Sequence, residues 1–137
     1  MRPVLTLLCT ALLLTTWSLS NSEARPKKRL DPRTKMCREL TKMPLEWESE
    51  TWGNGGKKFR AVCQSCHSAG DDAKAPFIHA ETHTSEGWNR VFSKRLVKCS
   101  RNGSWASLST EDIMQVNDYL YRNGDWTYDP NDADSCG

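Results

Sequence analysis

The sequence predicts a small all-α domain with irregular N- and C-terminal extensions. Three segments carry apolar residues at helical spacing, strand signals are absent, and the chain is only 137 residues long, enough for one small domain. The first helix runs from about Asn54 or Gly55 through GGKKFRAVCQSC and places Phe59, Val62 and Cys63 on one face. The second runs from about Ser85 to Lys98, with Trp88, Val91, Phe92, Arg95 and Leu96 at i, i+3, i+4 spacing. The third lies in LSTEDIMQVNDYLYRNG. There Ser109 can cap the N-terminus with Asp112 three residues on, Ile113, Val116 and Leu120 form the stripe, and Gly124 supplies the stop. Residues 36–53 and 125–137 read as extensions held by Trp47, Trp52 and Trp126.

The N-terminus reads as an export signal. Met1 and Arg2 precede an apolar run from Val4 to Leu14, right for a signal h-region and short of the roughly 20 apolar residues of a membrane span. Small residues place cleavage after Ala24 or after Ser20; the alternative is a retained anchor. The expected organisation is a signal peptide over 1–24, a basic flexible tail over 25–35, and one domain over 36–137, in a periplasmic, bacterial protein. The segment 25–35 holds six Lys/Arg against one Asp, whereas 36–137 holds twelve Lys/Arg against fifteen Asp/Glu. Such a tail is too polar to order itself and suits an acidic partner, an anionic membrane surface or a plain solvated linker. No stripe of basic and aromatic residues points to nucleic acid.

Five of the six cysteines follow residue 24: Cys37, Cys63, Cys66, Cys99 and Cys136. Two of them open CQSCH, residues 63–67. A structural zinc site needs a second ligand pair, and there is no second Cys-x-x-Cys. A thioredoxin-like redox pair needs a βαβ context that the chain lacks. The remaining chemistry is attachment of a c-type haem: two thiols spaced to reach two vinyl groups and an imidazole directly after them to reach iron. Cys63 and Cys66 are therefore the expected attachment residues of one covalent haem, and His67 its iron ligand. In an oxidising compartment the three remaining cysteines allow one disulfide and one odd thiol. Cys37–Cys136, which would staple the two extensions, is preferred, although connectivity is not determined by sequence.

With this motif in place, residues 54–123 resemble the class I cytochrome c family. Gly55, Phe59 and Cys63 have the family's first-helix spacing, and Val116, Tyr119 and Leu120 match its last helix. The resemblance implies a cytochrome c-like helical domain wrapped around one covalent haem, with the two helices crossing at Gly55. KAPFIHA (Lys74–Ala80) is similar to the stretch in which a proline carbonyl accepts the Nδ1 proton of the haem histidine. It implies that Pro76 does so for His67, that Ile78 packs on the haem, and that His79 is structural. Trp88, Arg90 or Arg95 would serve the propionates.

One departure bears on function. The family places a methionine before the last helix; this chain has NGSWASLS there, with Trp105. For the sixth iron ligand, Met43 in TKMPL is preferred over a vacant site, His83, Cys99 and Met114. The expected function is an exported monohaem electron carrier, not an enzyme, working with redox partner proteins. The alternative is a haem protein with an open or weak sixth site that binds a small ligand, as a sensor or weak peroxidase.

Overall fold

Residues 25–70 and 75–125 are described by a computed structural model. The expected signal peptide lies outside them, and among the described residues no helix is long and apolar enough to cross a membrane. The chain is not all-α. Strands β1 (Lys28–Asp31) and β2 (Met36–Glu39) pair antiparallel, with Lys28 opposite Glu39 and Asp31 opposite Met36. Lys35, at φ 58°, closes the turn by donating its backbone N–H to Asp31 O at 2.8 Å. The hairpin escapes the usual pattern test because its inward residues are charged. Arg29, Asp31 and Arg38 are buried, so no apolar alternation marks either strand.

The segment 25–35 is accordingly a structured part of the domain rather than a flexible tail. Within the chain Arg25 pairs with Glu50, Arg29 with Asp118 and Arg33 with Asp31.

Four α-helical segments follow among the described residues: α1 (Leu45–Glu48), α2 (Asn54–Lys58), α3 (Ser85–Lys94) and α4 (Thr110–Asn123). The first predicted helix does not run regularly into the cysteines. At Phe59 α2 widens into one π-helical stretch, Phe59–Cys63, whose i→i+5 bond runs from Gln64 N to Phe59 O at 3.0 Å. Such single wide turns recur at functional sites. Helix α3 starts where Thr84 Oγ1 accepts from Gly87 N at 3.1 Å, and ends four residues earlier than predicted because Arg95 turns left-handed, at φ 48°. Helix α4 has the expected reciprocal cap between Ser109 and Asp112. Gly124 does not stop it by a left-handed turn, since its φ is −67°. A side chain there would meet Leu120 O and His83 O, and the next residue donates from Asp125 N to His83 O at 2.9 Å.

Helices α2 and α4 meet at Gly55, where an added Cβ would overlap the Gln115 carbonyl and lie 2.9 Å from Tyr119 Cβ. Phe59 and Tyr119 pack beside this contact with ring centroids 5.7 Å apart. Phe59, Trp88, Phe92, Val116 and Leu120 form the centre of the core. The expectation that tryptophans anchor the stretch 36–53 is corrected. Trp47 and Trp52 are 53 % and 51 % exposed and pair with each other. Arg122 holds that stretch instead, donating Nη1 to Glu46 O at 2.9 Å and to Ser49 Oγ at 2.8 Å. Trp126 lies outside the described residues.

Candidate functional site

CQSCH occupies the turn after the π-helical stretch. Cys66 N and His67 N both donate to Cys63 O, at 3.3 and 3.1 Å, and this carries the His67 ring onto the same side of the turn as the thiols. A second segment, 75–84, is laced to that turn. Ile78 N donates to His67 O at 3.2 Å, and Gln64 Nε2 donates to Ile78 O at 3.2 Å. His67 Nδ1 lies 2.6 Å from Pro76 O. A carbonyl can only accept, so Nδ1 carries the proton and the lone pair of the neutral ring is on Nε2. Gln64, at a position the motif leaves free, was not singled out from sequence; nothing in the spacing distinguishes it.

These residues open onto an apolar cleft. It is lined by Phe59, Val62, Trp88, Val91, Phe92 and Leu120, by Pro76, Ile78 and His83 of the segment 75–84, and by Val97, Cys99, Ser104 and Trp105 from the segment between α3 and α4. Trp105 stacks on Phe92 with centroids 5.1 Å apart. Cys63, Cys66 and Cys99 carry free thiols. Burial pushes the Cys63 thiol up to about 12, and the neighbouring Cys99 and Cys66 add in the same direction. Cys37 is disulfide-bonded; its expected partner, Cys136, lies outside the described residues.

No family model, curated protein or solved structure matches the chain. The site must be read from its own chemistry.

That chemistry fits a c-type haem. Two unpaired thiols, an imidazole of one tautomer and apolar walls meet at one cleft. Among the described residues no three His, Cys, Asp or Glu side chains gather as a metal-ion cluster. The favoured sixth ligand is corrected: Met43 is 71 % exposed and does not line the cleft. Met114 is also elsewhere, its sulfur 4.0 Å from Arg38 Nη1. His83 and Cys99 do line the cleft. His79 does not, and its ring packs against Phe77. Of the propionate candidates, Trp88 presents its ring to the cleft while its indole N–H donates to Ala80 O at 2.6 Å. Arg90 and Arg95 are not among the lining residues.

Proposed function

We propose that this protein is a monohaem c-type cytochrome that carries single electrons between redox partner proteins in the periplasm. Cys63 and Cys66 are the thioether positions and His67 the proximal ligand. The observation that carries the reading is the His67 Nδ1–Pro76 O contact of 2.6 Å at the edge of an apolar cleft that both thiols also line. A haem held there supplies one-electron cycling of iron between its ferric and ferrous states. The chain's own residues would do the rest. Pro76 keeps the imidazole oriented and makes it a stronger donor, as partners of ligating histidines generally do. Phe59, Ile78, Trp88 and Leu120 exclude water, so little solvent rearranges when charge changes.

The experiment is denaturing gel electrophoresis with haem staining of the protein expressed together with a haem-attachment system. We expect one stained band for the wild type and none for Cys63→Ser, Cys66→Ser. Stain surviving in that variant, or missing from the wild type, refutes the reading. The absence of any methionine from the cleft lining favours a second reading, a haem with an open sixth position that binds small ligands. Rapid carbon monoxide binding by the reduced wild type would select it over the carrier.

A further inference from the structure

We infer that Cys99 Sγ is the sixth ligand, making a His67–Cys99 axial pair; this rests on the c-haem reading above. Beyond His67 and the two attachment thiols, the cleft presents three donors: His83, Cys99 and Ser104. The hydroxyl of Ser104 is bonded to Asn102 Oδ1 at 2.6 Å and is a poor neutral ligand for iron.

His83 is at the end of the segment 75–84, the same segment whose Pro76 and Ile78 are bonded to His67. It belongs to the segment that already supplies the Pro76 carbonyl to His67. Its ring is also engaged edge-on with Trp88, centroids 4.6 Å apart, and its carbonyl holds Asp125.

Cys99 comes from a different segment, the one between α3 and α4. The left-handed turn at Arg95 ends α3, and Val97, Cys99 and Trp105 beyond it line the cleft. Its position is held on both sides. Ser100 Oγ donates to Val97 O at 2.7 Å, Arg101 N donates to Lys98 O at 2.9 Å, and Trp105 is stacked on Phe92. The thiol is free, because the disulfide of Cys37 does not use it. Sulfur is a natural axial donor to haem iron. On ligation the thiol proton leaves to solvent and the sulfur donates an electron pair to iron, so no oxidant or reductant is consumed. The anionic donor favours the ferric state, and the midpoint potential is lower than a methionine would set.

The test uses the intact holoprotein. Electron paramagnetic resonance and near-infrared absorption of the ferric wild type should show a low-spin thiolate complex, with no thioether charge-transfer band. Cys99→Ala should lose that signal and bind carbon monoxide readily when reduced; Cys99→Met should stay low-spin with a raised potential; His83→Ala should keep the wild-type spectrum. A high-spin wild type, or a low-spin signal that survives Cys99→Ala and disappears in His83→Ala, overturns the inference. Should Cys99→Ala fail to accumulate, iodoacetamide decides on the wild type. Labelling of Cys99 in the native ferric protein overturns ligation, and protection of Cys99 there together with the thiolate signal supports it. Haem stain on a denaturing gel separates the two levels: stain without a thiolate signature sinks only the ligand, and no stain sinks the cytochrome reading.

Discussion

Asp112 does two jobs through one carboxylate. It accepts from Ser109 N at 3.0 Å to close the cap of α4, and it lies 3.3 Å from Lys58 Nζ on α2. The hydrogen bond from the Ser109 backbone, with further donation from the Ser109, Asn54 and Lys58 side chains, holds its acid down at about 2, against the opposing effect of burial. A carboxylate with a lowered folded pKa contributes stability above its unfolded value, near 3.9, and loses it as pH falls towards the folded one. The stabilising effect of Asp112 is therefore complete above about pH 4 and fades between about pH 4 and pH 2. Melting temperatures of wild type and Asp112→Asn should differ at pH 5 and converge by about pH 2; a constant difference would contradict this. Ser109 and Asp112 were readable in advance because a cap is local, three residues apart on one chain. Pro76 was readable only through resemblance, since nine residues separate its carbonyl from His67.

Helices α2 and α4 approach through Gly55, which has the Gln115 carbonyl directly over its Cα. A methyl group there meets backbone, which cannot swing aside as a side chain tip would. Gly55→Ala should cost about 1–3 kcal/mol, as overpacking does, and lower the urea midpoint accordingly. An unchanged midpoint would mean that the helices separate there without penalty. The π-helical stretch Phe59–Cys63 was invisible in the amino-acid pattern, because Phe59, Val62 and Cys63 fit an ordinary helix equally well. Its extra residue changes where Cys63 points relative to Phe59, and the turn that follows is bonded to the distant segment 75–84. The early end of α3 at Arg95 was hidden for a related reason. Val97 and Cys99 are taken by the cleft wall, although Arg95 and Leu96 continue the amphipathic spacing.

Across the whole molecule the hairpin is fastened by charge. Asp118, fully buried on α4, receives Arg29 Nε at 2.9 Å and Arg38 Nε at 2.8 Å, while Arg29 Nη1 donates to Asn89 Oδ1 on α3 at 3.1 Å. Asn89 in turn donates to Leu30 O at 3.0 Å and accepts from Asn117 at 3.1 Å. Both strands are thereby fixed to the outer face of α3 and α4. Asp118→Ala would leave two guanidinium groups buried without their anion, a loss of about 3–5 kcal/mol. Urea unfolding measures it, and a loss below about 1 kcal/mol would show that water or Glu111 replaces the carboxylate. Arg38 already has Glu111 at 4.0 Å, so Arg29 is the more dependent partner.

What the sequence determined by itself was whatever short-range spacing encodes. That covers the amphipathic stripes of α3 and α4, the Ser109 cap, and a Cys–Cys–His turn whose spacing admits few chemistries. These features place interacting groups within one or two turns, so the chain's own covalent geometry brings them together. The tertiary structure alone decided which distant groups share a space. It made a hairpin from a stretch that composition marked as solvated, because Arg29 and Arg38 find their counter-ion 89 and 80 residues away on α4. It left Met43 in solvent and brought Cys99 to the cleft, although the Met–Pro pair looked the better ligand in sequence. The energy of a buried ion pair, or of a thiol at a cleft wall, depends on partners far along the chain. Composition and periodicity contain no term for them.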